Sequence, residues 1–341
     1  MNTSGNKQIL LARRPVGPPV AEDFRFADAA MPVPAAGELL VRMLFLSMDP
    51  YLRGRIGARR LGGNDPVPLD AVVEGRGIAQ VTVSTDPRFA AGDIIYGELG
   101  WQTHALIPAD RALKLDASLA PLTAWVALLG HPGLTAKVGI ARILRVQPGE
   151  NVVVSAAVGA VGQVAGPLAR LAGAARVVGV AGGAEKCRFA VEKLGYNACI
   201  DRHAEPDLNA AMARECPAGI DAYFDNTGGA VQDAVWPLLN RHGRIALCGQ
   251  VSEYNATGEE RPGPNLGSGV TRRLRIEGFG VGDHLDLMPA WRSEAATLLR
   301  EGKMVMQETI IDGFESTPAA FAAMLAGKSF GKTIVRVALA E

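Results

Sequence analysis

The stretch Asn151-Val-Val-Val-Ser-Ala-Ala-Val-Gly-Ala-Val-Gly162 constrains the fold more than any other. A short β-branched run ends in small residues, and a segment of helical character follows from about Ala160 to Ala172. This is the pattern of a strand, a tight turn and a phosphate-facing helix N-terminus in a dinucleotide-binding βαβ unit. The small positions keep the G-x-G-x-x-G spacing, with Ala157 in the first slot and Gly159 and Gly162 in the other two. Such a turn presents the backbone amides of Ala160, Val161 and Gly162 to a pyrophosphate.

The pattern continues downstream as alternating strands and helices. Strands are predicted at Val152–Ser155, Arg176–Ala181, Ala198–Asp201, Ile220–Phe224, Gly243–Cys248 and Arg275–Phe279, with helical segments between most of them. Alternating βα units give a doubly wound parallel sheet with right-handed crossovers, so the fold class is α/β. Pro167 conflicts with this reading, because it removes a backbone donor inside the first helix and predicts a kink or distorted turn there.

Upstream of about residue 120 the texture differs. Residues 1 to about 7 read as a polar tail. Gln8–Ala12 is a strand candidate, and the turn at Pro34 leads into a long strand ending at Ser47, buried on both faces. Further short strands at Ala71–Val73, Gly77–Val83, Asp93–Tyr96, Ala105–Pro108 and Ala112–Leu115 are punctuated by Gly and Pro, as in a small β-rich domain or partly open barrel. Leu122–Leu129 looks helical, His131–Ala136 reads as a turn, and Lys137–Leu144 as a second helical piece. At the other end, Thr309–Phe314, Ala319–Leu325 and Thr333–Val337 read as strand, helix and strand returning to the first domain. The division is a β-rich domain over 1–125 with 310–341, and a nucleotide-binding domain over 126–309.

Composition narrows the function classes. The 341 residues suit two domains, and 35 basic against 35 acidic side chains give no polyanion-binding surface. The four cysteines, Cys187, Cys199, Cys216 and Cys248, have no CxxC spacing, which argues against a disulfide framework or a zinc cluster. With no signal-peptide pattern and no apolar run long enough to span a bilayer, a cytoplasmic protein is expected.

The cofactor is read from a missing charge. In NAD enzymes a carboxylate about 20 residues past the fingerprint binds the ribose 2′-hydroxyl. That slot falls near Gly182, where no Asp or Glu stands; Lys186 follows, and Arg202 lies just beyond the third strand of the unit. A 2′-phosphate carries about two negative charges, so cations favour it and a carboxylate would repel it. NADP(H) is therefore expected rather than NAD(H).

Several strings together resemble the zinc-independent branch of the medium-chain dehydrogenase/reductase superfamily, and within it the NADPH-dependent 2-alkenal, prostaglandin and curcumin reductases. They are Leu46-Ser-Met-Asp-Pro-Tyr-Leu-Arg-Gly-Arg55, Gly100-Trp-Gln102, Pro132-Gly-Leu-Thr-Ala136, Ala156–Gly162, Ala181-Gly-Gly-Ala-Glu-Lys-Cys187, Phe224-Asp-Asn-Thr-Gly-Gly229, Gly243-Arg-Ile-Ala-Leu-Cys-Gly249, Ser252-Glu-Tyr-Asn255, Arg275-Ile-Glu-Gly-Phe279 and Gly331-Lys-Thr-Ile-Val335. The resemblance implies a GroES-like β-rich catalytic domain beside a Rossmann domain, an active site in the cleft between them, and a homodimer formed through Rossmann edge strands such as Arg275–Phe279. Where zinc-dependent relatives carry Gly-His-Glu, this chain reads Glu74-Gly-Arg-Gly77, and its N-terminal domain has no cysteine, so no zinc site is expected.

Without a metal electrophile, the implied reaction is reduction of the carbon–carbon double bond of an α,β-unsaturated ketone or aldehyde. Hydride adds to the β-carbon, charge develops on the carbonyl oxygen, and a hydrogen-bond donor stabilises it. By resemblance Tyr254 is the first choice for that donor, and Tyr51 lines the substrate site. Resemblance also sets Lys186 on the 2′-phosphate, Asn226, Cys248 and Gly249 along the cofactor, and Thr135 as a further contact. The chain departs from the family at Asp201-Arg-His203, where Asn-Tyr-Lys is usual, Arg202 stands in for the tyrosine contact and Asp201 brings an opposing charge to the phosphate, and at Ser329, a cofactor-site residue where Asn is usual and the shorter hydroxyl weakens a nicotinamide contact. The Arg- and Gly-rich segment Arg59–Asp65 lies where substrate loops vary. A quinone reductase of the same superfamily and a non-catalytic NADPH-binding protein are the competing readings.

Overall fold

β-branched and aliphatic runs set the strands of the N-terminal third. In the computed structural model, which describes residues 5–58, 65–258 and 262–340, β1 (Asn6–Leu11) pairs antiparallel with β2 (Phe24–Ala29). The strand begins at Asn6, inside the stretch read as a polar tail, because Ile9 and Leu11 are fully buried and draw the chain into register. β3 (Glu38–Ser47) is buried at odd and even positions alike, including Leu39, Leu40, Val41, Leu44 and Leu46, as a strand covered on both faces must be. A short helix α1 (Leu52–Ile56) follows, then β4 (Arg76–Ser84), β5 (Ile94–Glu98), β6 (His104–Pro108) and β7 (Leu113–Lys114). The expected strand Ala71–Val73 is instead an irregular segment that lies beside β1 through backbone bonds from Leu11 to Ala71 and from Val73 to Ile9. Of the Arg- and Gly-rich segment Arg59–Asp65, all but Asp65 lies outside the described residues.

The expected turn at His131–Ala136 is a helix, α2 (His131–Val138). Pro132 sits in its first turn, where a missing N–H costs nothing. Gly133 is there for close packing: a Cβ would lie 1.8 Å from the Leu128 carbonyl oxygen. The Pro-Gly pair thus starts a helix instead of reversing the chain.

Next come β8 (Asn151–Ser155), α3 (Gly162–Leu171), β9 (Arg176–Ala181), α4 (Ala184–Glu192), β10 (Ala198–Asp201), α5 (Leu208–Glu215), β11 (Ile220–Asp225), α6 (Gly229–Val235), β12 (Leu239–Leu247), α7 (Leu266–Arg272), β13 (Arg275–Gly278) and α8 (Met288–Arg300). The six strands form one parallel sheet in the order β10-β9-β8-β11-β12-β13. The chain runs outward from β8 to β10, then returns to the other side of β8 as β11. That reversal makes the carboxyl ends of β8 and β11 the topological switch point, where doubly wound sheets bind ligands. α3 runs through Pro167 as one helix, so the distorted turn expected there does not form.

The chain closes with β14 (Glu308–Asp312), α9 (Thr317–Leu325) and β15 (Lys332–Arg336). β15 pairs antiparallel with β3, in a seven-stranded sheet ordered β14-β15-β3-β4-β5-β7 with β6 also on β3. Two compact units result: Met1–Val126 with Glu308–Glu341, the GroES-like fold, and Ala127–Gln307, the Rossmann fold.

In the first unit, β15 carries a lysine into the core. The Lys332 side chain is 1 % exposed, and its Nζ donates to the Met48 carbonyl at 2.7 Å and to Asp49 Oδ1 at 2.6 Å. Asp49 Oδ2 accepts from the Ser47 hydroxyl at 2.7 Å. Burial alone would push the Asp49 carboxyl up, but Lys332, with help from Arg76 and Ser47, holds it below its ordinary 3.8. Its stabilising contribution is therefore present above the unfolded carboxyl's pKa and lost as pH falls through the lower folded value. Lys332→Met leaves this carboxylate buried without its cation, at a cost of about 3–5 kcal/mol. Urea unfolding should show a lower midpoint for that variant and a partial recovery with Asp49→Asn added; an unchanged midpoint would remove the pair from the account.

Candidate functional site

The β-branched run of β8 stops at Ser155, and the chain turns at once. Ala156 adopts φ +49°, a left-handed conformation that disfavours any side chain. Ala157, which occupies the first fingerprint slot, is instead buried, with its N–H donating to the Val180 carbonyl at 3.0 Å. The strained position therefore precedes the slot in which the spacing placed the first small residue. Gly159 donates to the Ala156 carbonyl at 2.9 Å and closes the turn. Gly162 begins α3 against that turn: a Cβ there would lie 2.2 Å from the Ala156 oxygen. No side chain caps α3. The amides about its first turn, at Ala160, Val161 and Gly162, belong to the set that lacks intrahelical acceptors and suits a phosphate.

A residue that periodicity did not single out braces this turn from below. Tyr196 is buried, and its hydroxyl donates to the Gly162 carbonyl at 2.7 Å. Its ring fills the space over Gly166, where a Cβ would lie 2.2 Å from the ring. No sequence signal links Tyr196 to a turn 34 residues away.

Beside the end of β9, Lys186 on the first turn of α4 meets Arg202, which follows β10. Burial depresses the Lys186 ammonium, and Arg202 depresses it further, against a smaller opposing pull from Glu185. Like charges near enough to influence each other in this way disfavour one another's charged form. Asp201, the carboxylate that would oppose a phosphate here, is turned away: its Oδ1 accepts from the N–H groups of Gly183 at 2.7 Å and His203 at 3.0 Å. Burial would raise the Asp201 carboxyl, and these backbone donors bring it below its ordinary value. Gly182 is covered by the His203 ring, where a Cβ would lie 2.5 Å from an imidazole carbon. His203 joins the site without having been anticipated.

The switch point is fastened by side chains. Asn226 Nδ2 donates to the Ser155 carbonyl at 2.7 Å, and its N–H donates to the Ser155 hydroxyl at 2.8 Å. Asp225 is fully buried, accepting on Oδ1 from the Tyr223 hydroxyl at 2.8 Å and from the Thr227 and Gly228 amides at 3.0 and 2.8 Å. Gln232 donates to Oδ2 at 3.0 Å. Burial raises the Asp225 carboxyl in spite of these donors. Its backbone carbonyl accepts from the Cys248 and Gly249 amides at 2.9 and 3.1 Å, which holds the chain leaving β12 against the end of β11.

Tyr254 follows from that strand end. A Cβ on Gly249 would lie 3.4 Å from its hydroxyl oxygen, so the phenol stands within contact range of this strand end. Burial raises the Tyr254 hydroxyl, a Gln250 backbone donor opposes the shift, and Cys248 adds to it. The phenol is thus a protonated donor at neutral pH. Burial also pushes the Cys248 thiol up to about 12, leaving it neutral.

The remaining sequence-selected residues are arranged as follows. Thr135 donates its hydroxyl to the His131 carbonyl within α2 at 2.8 Å. Tyr51 and Ser329 belong to the first unit, Ser329 in the loop between α9 and β15. The Tyr51 ring lies under the Arg76 guanidinium, 5.1 Å from its centroid, and burial raises the phenol well above its ordinary value. Arg76 itself pairs with Glu98 at 2.6 Å. Among the described residues no group of three or more His, Cys, Asp or Glu side chains is placed to hold a metal ion, and no helix is long and apolar enough to cross a membrane.

Comparison with known proteins agrees with both halves. Residues 7–115 match the N-terminal domain of oxidoreductase family, and residues 160–299 match the zinc-binding dehydrogenase family. The chain is 40% identical over 339 residues to the NADPH-dependent curcumin reductase of Escherichia coli (strain K12), covering 98% of this chain and 97% of that one. It is 37% identical to the NADP(+)-dependent 2-alkenal reductase of Nicotiana tabacum, over 97% of each. The crystal structure of CurA from Vibrio vulnificus in complex with NADPH superposes with a TM-score of 0.91 at 38% identity, over 98% of this chain and 99% of that one. The chain belongs to the medium-chain dehydrogenase/reductase superfamily, in the zinc-independent branch of the NADPH-dependent curcumin, 2-alkenal and prostaglandin reductases.

Proposed function

We propose that this protein is an NADPH-dependent reductase of the carbon–carbon double bond in α,β-unsaturated ketones and aldehydes. The observation that carries the reading is the Tyr254 hydroxyl, a neutral hydrogen-bond donor standing next to Gly249 where the chain leaves β12 beside the switch point. The donor set fits the cofactor: uncapped amides at the start of α3 for the pyrophosphate, and the Lys186–Arg202 pair for the 2′-phosphate. Asn226, Cys248 and Gly249, at the ends of β11 and β12, line the other side of the α3 turn, where the nicotinamide half would lie. When bound, NADPH supplies the hydride that adds to the β-carbon of the substrate.

The chain's own part is to bind, orient and hold a proton. As the β-carbon gains its new bond, the π electrons move toward the carbonyl oxygen. Tyr254 O–H donates a hydrogen bond to that oxygen and stabilises its growing charge. The proton that completes the reaction reaches the α-carbon from this hydroxyl or from water. Tyr51 is the second candidate donor, carried by the first unit, with Arg76 stacked on its ring. Tyr196 and Tyr223 are bonded inside the Rossmann core and serve the turn and the Asp225 network instead.

Tyr254→Phe should lower kcat for an enone such as 3-nonen-2-one by about 10²-fold, with little change in KM for NADPH. Undiminished turnover, or turnover of a simple quinone alone by the wild-type protein, would overturn the assignment. Lys186→Ala and Arg202→Ala should each raise KM for NADPH by about tenfold while leaving the weaker use of NADH nearly unchanged, since each removes a charge-assisted contact to the phosphate. Equal losses with both cofactors would move these cations off the 2′-phosphate.

We also propose a homodimer. Its support is β13, the edge strand of the parallel sheet, which leaves Ile276 40% exposed. Light scattering on the full chain should return twice the chain mass; a single-chain mass would refute the dimer.

A further inference from the structure

The four cysteines fall into two kinds. Cys216 lies in the apolar cluster under the Rossmann sheet and Cys248 at the end of β12, and burial pushes their thiols up to about 11 and about 12. Such thiols are inert. Cys187, on the first turns of α4, and Cys199, on β10, are different. Their sulfur atoms are 3.1 Å apart, with Cys199 donating to Cys187. That is only about 1 Å longer than a disulfide bond of about 2.05 Å. The bond from Cys199 and a backbone donor at Ala181 lower the Cys187 thiol, while Cys199 is raised by the same contact and by burial. The contact thus favours the thiolate at Cys187 over that at Cys199, with the Cys199 thiol as the donor. Cys187 is buried and Cys199 partly exposed, so a small oxidant reaches the pair from the Cys199 side.

We propose that Cys187 and Cys199 form a reversible disulfide under peroxide, and that this bond weakens cofactor binding through the adjacent Lys186. The Cys187 thiolate attacks one oxygen of hydrogen peroxide, the O–O bond breaks, and the released hydroxide takes a proton to leave as water. The sulfenic acid formed on Cys187 is then attacked by the Cys199 sulfur. The S–S bond forms, the S–O bond breaks, and the hydroxyl departs with the Cys199 proton as a second water. Two thiols are oxidised and one peroxide is reduced to two waters. A dithiol such as dithiothreitol reverses the bond by exchange.

The consequence follows from position. Cys187 is the neighbour of Lys186 on α4, and Cys199 precedes Arg202 by three residues at the end of β10. Drawing α4 toward β10 shifts Lys186 against Arg202, and these two form the proposed seat of the 2′-phosphate. This second half rests on the NADPH reading; the disulfide itself does not.

The test treats the full-length protein with hydrogen peroxide, then maps peptides by mass and titrates NADPH by fluorescence, before and after dithiothreitol. A Cys187–Cys199 linked peptide is expected, absent from Cys199→Ser. NADPH Kd should rise by about fivefold or more, in the ordinary range of coupling between sites, and recover on reduction. Oxidation of the two sulfurs to separate acids, or no oxidation at all, overturns the disulfide. A linked peptide with unchanged NADPH Kd overturns the coupling. Failure of the reduced protein to bind NADPH at all would overturn the cofactor reading while leaving the linked peptide as an independent result.

Discussion

The switch point between β8 and β11 is held in place by a pair of short contacts, from Asn226 Nδ2 to the Ser155 carbonyl and from the Asn226 N–H to the Ser155 hydroxyl. Parallel strands that separate at their carboxyl ends leave backbone groups without ladder partners. Here side chains supply the missing partners. Ser155 and Asn226 tie the two ends together, and the Asp225 carboxylate gathers Tyr223, Thr227, Gly228 and Gln232. A buried carboxylate with this many donors fixes the loop as a unit, since the loss of any one leaves an unsatisfied charge in a low-dielectric setting. The same residue's carbonyl receives Cys248 and Gly249, so the path to Tyr254 is set by the network that shapes the cofactor crevice.

Electrostatics divides the labour along the edge of the Rossmann sheet. At β9 and β10 Arg202 acts on the Lys186 ammonium while Asp201 is spent on backbone amides, and on the proposed reading this end takes the 2′-phosphate. At β11 and β12 the ionisable groups are pushed toward their neutral forms: the Asp225 carboxyl is raised, the Cys248 thiol is neutral and the Tyr254 phenol keeps its proton. In the proposed function, one end would take a dianion and the other would offer a neutral hydrogen-bond donor to an oxygen on which charge grows. Each end suits one part of a hydride transfer from NADPH to an enone.

Much of this was legible in the sequence, for physical reasons. The βα alternation and the fingerprint depend on local patterning, and all six parallel strands appear where the β-branched runs placed them. The missing carboxylate near Gly182 is a one-residue observation that needs no tertiary knowledge. What could not be read depends on contacts between distant residues. Tyr196 under Gly162, His203 over Gly182 and Lys332 under Asp49 are set by packing, and no periodicity announces them. Two misreadings have the same origin. Pro132-Gly133 reads locally as a turn, yet it opens a helix packed on Leu128, and Pro167, where a kink or distorted turn is expected, lies inside the single helix α3. The strained Ala156 was hidden because alanine carries no signal for a left-handed backbone.

The most direct measurement follows the transferred hydrogen. The full-length protein is incubated with an enone and NADPH deuterated at the nicotinamide C4 position, and the product is read by nuclear magnetic resonance. The account predicts a saturated ketone with deuterium on the β-carbon. An allylic alcohol with deuterium on the carbonyl carbon, or a product without deuterium, would contradict it.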